Sequence, residues 1–348
     1  MKKSLFIQNG RFYKANLHCH STWSDGHYTP AELKALYKEK GYSVLAITDH
    51  EGLFSHFELD DEDFITLAGT ELEFNSAAAE WNDVITCHMC FYKKDPTEIY
   101  QPGYDEKYTH PKFRWLRDPE LRRLIVPRGE AFQKVYSVEN INHVIKTMKE
   151  NGFFVTVNHP KWAQEGFDTL KLYKGMDALE IYNNSTYVSG FDEYNGDVYD
   201  LMLRSGSRIF CTANDDNHNA LGSARSDMFG GFNMICAKSL DYGNIISAME
   251  SGSFYASTGP VIRELYTEDG YLCVESDTPL ASIRMLSGNR YADLVRNLNG
   301  EPVYSGKFRI DKDCGYMRLE LNGTDGKRAY TNAYFIENRR KDNERYEI

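Results

Sequence analysis

Residues 15–26 read ANLHCHSTWSDG, with His18 and His20 one residue apart and Asp25 close behind. On a strand, side chains alternate between faces, so both imidazoles fall on one side and can grip a single metal ion. The same residue types recur along the chain. Asp49 and His50 end VLAITDH, Glu71 sits in LAGTELEF, His88 closes VITCH and His159 closes FFVTVNH. Asp216 and His218, in RIFCTANDDNH, repeat the one-residue spacing. Neutral imidazoles bind Zn, Mn or Fe without adding negative charge, and carboxylates bridge ions and orient water. Each residue taken singly has an ordinary explanation: a strand-end turn for Asp49–His50, a rigid loop start for His159–Pro160, a cap or ion pair for Glu71, a core position for His88. Six of the ten histidines at matching places argue jointly for a multinuclear metal site. Cys87 and Cys90 in CHMC have CxxC spacing, but no second pair lies nearby and a strand turns their sulfurs to opposite faces. Both are read as core packing, and Cys19 as facing away from any ion its neighbours hold.

Such residues must be delivered to one place, and strands ending on a common rim would do so. TPAELKALYKEKG fits a helix with Thr29 as cap, Pro30 in its first turn, Glu32 closing a capping box and Gly41 at the stop. YSVLAIT then reads as a strand. SVENINHVIKTMKENG and FFVTVN repeat the scheme, DALEIYN and SRIFCTAND read as strands around a helix over 192–204, and LDYGNIISAMESG as a further helix. This alternation predicts parallel strands with helices outside, in a barrel or an open sheet. Residues 91–136 break the rhythm and read as an insertion. From about residue 260, short alternating runs between Gly, Asn and Asp turns predict a small antiparallel β-domain, sandwich-like.

The net charge of -11 disfavours a grip on a nucleic-acid polymer, whose phosphates are bound by accumulated Lys and Arg. A small anion remains compatible, because clustered metal ions supply positive charge locally. MKKSLFIQNG has too short an apolar run for a signal peptide, and no apolar segment reaches membrane-spanning length. Seven cysteines without a regular framework suit reduced thiols, so a cytoplasmic location is expected.

NLHCHSTWSDGHYTPAEL, GYSVLAITDH, GTE, the later histidines and DDNH together resemble, in order, the motifs of the PHP (polymerase and histidinol phosphatase) superfamily. The resemblance covers roughly residues 13–259, and GSFYASTGPVI resembles the end of its CehA/McbA-like subgroup. It implies a distorted (β/α)7 TIM-like barrel over 1–259, interrupted at about 91–136, followed by a β-rich domain over 260–348. It further implies two or three divalent transition-metal ions, Zn, Mn or Fe. His18, His20, Glu71 and Asp216 would bind the first, with Glu71 bridging; Asp25, His50 and His218 the second; Glu71, His88 and His159 the third. Asp215 competes with Asp216, but the DxH spacing to His218 favours Asp216.

Clustered divalent ions polarise a phosphoryl oxygen and activate water for in-line attack. Asp25 or His218 could shuttle a proton, and Arg225 assist the reaction from the rim. Lys161, Tyr182, Asn183 and Arg225 are candidate substrate contacts, with Arg128 and Lys134 joining them if the insertion folds over the site. The expected activity is hydrolysis of a small phosphomonoester, a nucleotide or sugar phosphate. The alternatives are a metallohydrolase of carboxylic esters, amides or carbamates, and a non-catalytic protein binding a carbohydrate or partner.

Overall fold

The computed structural model describes residues 1–78 and 83–336, and the chain divides into two compact units. The larger unit comprises residues 9–258; the smaller joins residues 1–8 to the segment beginning at Gly259.

The larger unit is mixed α/β. Strands Arg11–Asn16, Val44–Ile47 and Ile65–Asn75 run parallel, as do Phe153–Val157, Ala178–Asn183 and Phe210–Asn214. Between these sets lies Thr86–Lys93, antiparallel to both neighbours. The connection from Asn75 to Thr86 is shorter than the dozen or so residues a parallel crossover needs, so the chain folds straight back. At the other side Phe232–Ala237 runs antiparallel to Arg11–Asn16 and to Phe254–Ser257.

The expected barrel is corrected here: the described strands form no closed barrel. Phe210–Asn214 and Phe232–Ala237 approach without forming a ladder, and asparagine side chains bridge the seam. Asn233 accepts from the Ala213 N–H at 3.0 Å and donates to the Ala213 carbonyl at 2.9 Å. Asn214 Oδ1 accepts from Leu17 N at 3.0 Å, and Asn16 Oδ1 from Asp215 N at 3.0 Å. Backbones come so close that a Cβ on Gly231 would lie 2.7 Å from the Asn214 carbonyl oxygen.

The helices start where the sequence signals them. Thr29 caps Pro30–Glu39 with the Glu32 capping box, and Ser137 caps Val138–Glu150. Asp241 caps Tyr242–Glu250; the helix expected over 192–204 occupies only Gly196–Arg204. The insertion starts later than expected, because residues 91–93 still belong to Thr86–Lys93. Its short helices Arg114–Arg117 and Pro119–Arg122 carry Trp115 into a cluster with Phe54, Phe113 and Ile125.

The smaller unit is antiparallel. Ile262–Glu268 and Tyr271–Ser287 are joined through Asp269-Gly270, both at positive φ, the residue pair a tight hairpin favours. Tyr271–Ser287 also pairs with Val303–Arg309 and Tyr316–Gly323. Residues 1–8, assigned from sequence to the larger domain, lie in this unit because Lys3 and Ser4 pair with Thr267 and Tyr266. The part of the expected 260–348 domain beyond residue 336 falls outside the described residues.

Candidate metal centre

Strand ends and loops of the larger unit bring the nine sequence-derived ligand candidates together. His18 and His20 follow Arg11–Asn16, their Nε2 atoms 3.1 Å apart and both rings fully buried. Cys19 between them turns into a core with Leu33, Tyr37 and Tyr42, as its alternate position requires. Two expectations about placement need correction. Glu71 lies inside Ile65–Asn75 rather than at its end, and His50 reaches it because the loop after Val44–Ile47 continues the parallel pairing, bridging His50 to Glu71. His88 stands near the amino end of its strand, not the carboxyl end; antiparallel direction brings that end to the cluster.

Glu71 is the hub. His18 Nε2, His88 Nδ1 and His159 Nε2 each lie 3.3 Å from its Oε1. His20 Nε2 lies 3.3 Å and His50 Nδ1 3.2 Å from Oε2. Asp216 Oδ1 stands 3.1 Å from His18 Nε2 and 3.0 Å from His20 Nε2. On the outer side Asp25 Oδ1 faces His50 Nε2 at 3.7 Å and His218 Nε2 at 3.6 Å. Ligand-capable atoms therefore gather in three groups: His18, His20, Glu71 and Asp216; His20, Asp25, His50 and His218; and His50, Glu71 and His88.

The tautomers fit cations rather than a closed hydrogen-bond network. His18 Nδ1 meets Glu180 Oε1 at 2.9 Å and His218 Nδ1 meets the Asp216 carbonyl at 2.8 Å, both acceptors. Each Nδ1 must donate, so in the neutral ring that binds a cation the Nε2 lone pair faces the carboxylate oxygens. Asp25 Oδ1, Glu71 Oε2 and Asp216 Oδ1 are buried acceptors without a hydrogen-bond donor, and one ring nitrogen each of His50, His88 and His159 also lacks a partner. Orphans in such number are costly unless a further group satisfies them, and divalent ions do so for this donor set.

Charge coupling is strong. Burial opposes imidazolium at His18, His20 and His159, but Asp216 and Glu71 outweigh it and raise all three above the usual value. Burial likewise opposes ionised Asp25, Glu71 and Asp216, and the surrounding imidazoles outweigh it, holding them below the carboxylate range. At His50 burial wins over Asp25, pushing the imidazole down to about 4.

Neighbouring groups orient the candidates. Glu180 accepts from His18 Nδ1, from the His159 N–H at 3.0 Å, and from Asn183 and Asn214 side chains at 2.9 and 2.8 Å. Asn158 Nδ2 donates to Glu71 at 2.7 Å. Asp227, buried, accepts from His218 N at 2.9 Å and from Asn219. His159 and Asp216 hold left-handed φ values of 24° and 52°, a conformation that persists only where surroundings enforce it. Asp215 belongs elsewhere: it accepts from the N–H groups of Phe229, Gly230 and Gly231, and burial pushes its carboxyl up to about 6.

A cavity of about 350 Å³ opens onto the cluster. Of the expected substrate contacts, Asn183 instead braces the centre, donating to Asp216 at 3.1 Å. Lys161 is turned to the Tyr194 carbonyl at 2.9 Å and to Asp197. Tyr182 is buried, donating to Asn184 at 2.7 Å. Arg225 is exposed; neither it, Lys161 nor Tyr182 lines the cavity. Arg128 stacks over Tyr100 within the insertion, and Lys134 pairs with buried Glu51, tying the insertion to the loop after Val44–Ile47. Sequence reasoning allows the aromatic insertion as a stacking wall but does not single out the residues that line the cavity: Lys112 and Phe113 from the insertion, Glu73 beside His88, and Trp162 against the rings of His88 and His159. The strand period did hold a signal for Glu73, two residues after Glu71 and hence on its face.

No family model matches the chain, and no curated protein matches it. Among solved structures it is similar to a two-domain protein from Bacteroides vulgatus ATCC 8482 containing a predicted PHP-like metal-dependent phosphoesterase. That similarity has a TM-score of 0.45 and 13% identity over 96% of this chain and 98% of the other. It is also similar to an amidohydrolase from Chromobacterium violaceum solved with sulfate and no metal, with a TM-score of 0.39 and 15% identity over 61% of this chain and 89% of the other. At these scores the site's own geometry carries the functional argument.

Proposed function

We propose that the larger unit is a PHP-type metal-dependent hydrolase whose substrate is a small phosphomonoester. The carrying observation is Glu71, its two oxygens surrounded by five imidazoles at 3.2–3.3 Å inside a buried cluster rich in unsatisfied acceptors. His18, His20, Glu71 and Asp216 would hold one divalent ion, Asp25, His50 and His218 a second, and Glu71, His88 and His159 a third. Ions held there would supply Lewis acidity toward a phosphoryl oxygen and would lower the pKa of water.

The chain's own residues do the rest. Glu180 fixes His18 with its Nε2 lone pair inward, and the Asp216 carbonyl does the same for His218. Phe113, stacked on His50 at 5.4 Å, and Trp162 narrow the cavity and limit water. Asp25 and His218 line the cavity wall, so the second ion they would hold borders the substrate space. The cavity volume suits a small molecule rather than a polymer. A second reading, hydrolysis of a carboxylic ester, amide or carbamate, is favoured by the cavity's single lysine and lack of arginine among its lining residues.

Metal analysis combined with turnover of 4-nitrophenyl phosphate and 4-nitrophenyl acetate tests both. Two or three ions per chain and faster phosphate release support the first reading. Turnover of acetate alone reverses the ranking, and protein that cannot be loaded with Zn, Mn or Fe sinks both.

A further inference from the structure

The two oxygens of Asp25 face different partners. Oδ1 is buried, has no hydrogen-bond donor, and points to His50 and His218. Oδ2 lies 3.4 Å from Lys112 Nζ, and Lys112 is 57% exposed at its side chain. One carboxylate thus joins the inner cluster to an ammonium at the cavity wall. The stretch carrying Lys112 is tied down close by. Trp115 donates its indole N–H to the His50 carbonyl at 3.0 Å, and its backbone N–H to the Trp23 carbonyl at 2.9 Å. Phe113 lies on the His50 ring with 10° between planes. The segment is therefore anchored to two of the loops that carry the second ligand group, those of Asp25 and His50.

Charge decides what the ammonium is for. Asp25, Glu71, Glu73 and Asp216 are the carboxylates lining the cavity, and Lys112 is its only lysine or arginine. Divalent ions held by the cluster would offset those carboxylates, and Lys112 adds the one further cationic side chain on the cavity wall. The surrounding segment, 101–136, has eight Lys and Arg against five Asp and Glu, on a chain whose net charge is -11. A neutral ester gains nothing from that surplus; an oxyanion does.

Resting on the phosphoesterase reading, we propose that Lys112 is the substrate-recognition residue of the site: held by Asp25 Oδ2, it binds the peripheral oxygen of a phosphomonoester whose inner oxygens meet the metal centre. The insertion, through this one side chain, sets the preference for anionic over neutral substrates.

The test uses metal-loaded full-length protein, with inorganic phosphate as probe and metal content measured on the same samples. Lys112→Met keeps most of the stem and removes the charge; Lys112→Arg keeps the charge. K112M is expected to weaken phosphate binding, measured by calorimetry, roughly tenfold to a hundredfold, with metal content unchanged and K112R recovering most of the affinity. Wild-type phosphate affinity in K112M overturns the proposal. So does loss of metal in K112M, which would make Lys112 a strut for Asp25. If the loaded wild-type protein binds no phosphate, the phosphoesterase reading itself fails, a result distinct from either.

Discussion

Glu180 Oε1 lies 2.9 Å from His18 Nδ1, and no atom of Glu180 reaches toward the cavity. All four partners of its carboxylate are donors: His18 Nδ1, the His159 N–H and the amides of Asn183 and Asn214. Glu180→Gln would set an NH₂ among those donors, freeing the His18 ring to turn and loosening His159. Such orienting groups are worth roughly 10–100-fold in metal affinity. E180Q is therefore expected to weaken binding of the first ion by that factor, read by competition with a chelating dye, while far-UV circular dichroism stays unchanged. Unaltered affinity would show that His18 is oriented by packing alone.

Metal binding should release protons. In the metal-free protein His18, His20 and His159 titrate above the usual imidazole value because Asp216 and Glu71 overcome the burial that opposes their charge. Ions bind neutral imidazole, so these protons must leave and affinity must rise with pH. The stability sign is opposite. A raised imidazole pKa stabilises the metal-free fold below the unfolded value and loses that contribution as pH rises through the folded value. Metal-free protein should thus lose stability on the alkaline side, and loading with Zn or Mn should remove the loss. Proton uptake by a pH indicator during titration with either ion would contradict this.

Glu165 offers a test at a residue outside the ligand candidates, made on metal-free protein. Tyr173 and Tyr136 donate to its Oε1, and its Oε2 is shut away from solvent. Burial pushes the carboxyl up to about 7 despite those two donors. The fold then holds a proton that the unfolded chain releases near its ordinary value. Stability falls as pH rises from the unfolded value through about 7. The loss is at most on the order of 3 kcal/mol. Glu165→Gln keeps the shape without the charge, so its melting temperature at alkaline pH should exceed the wild type's and vary less with pH.

Much of the candidate site was legible because its ligand candidates keep local spacing. His18 and His20, or Asp216 and His218, fall together through short-range geometry that sequence displays directly. Thr29 and Glu32 mark a helix start for the same reason. What sequence hid depends on tertiary approach. Lys112 reaches Asp25 only because Trp115 and Phe113 pack the insertion onto the His50 loop. Glu180 looks like an ordinary polar residue of a strand until His18, 162 residues away, meets it. The direction of the His88 strand turned on the length of a connection, and the home of residues 1–8 on a pairing with Tyr266 and Thr267. No periodic pattern displays an open seam closed by side chains.

That seam supplies the last prediction. Asn233 serves Ala213 as a backbone strand would, accepting from its N–H and donating to its carbonyl, and its Nδ2 also reaches Asn214 Oδ1 at 2.9 Å. Asn214 in turn receives the Leu17 N–H, next to His18. Asn233→Ala would orphan a buried donor and acceptor on Ala213, each costing about 1–3 kcal/mol. Asn233→Asp keeps the acceptor but sets a carboxylate against two oxygens, so it should destabilise at least as much at neutral pH. Both variants should unfold at lower urea than wild type, and amide exchange should accelerate at Ala213 and Leu17 before it does in Val44–Ile47. Wild-type exchange at Ala213 in N233A would mean that the seam is held by the flanking strands without the side chain.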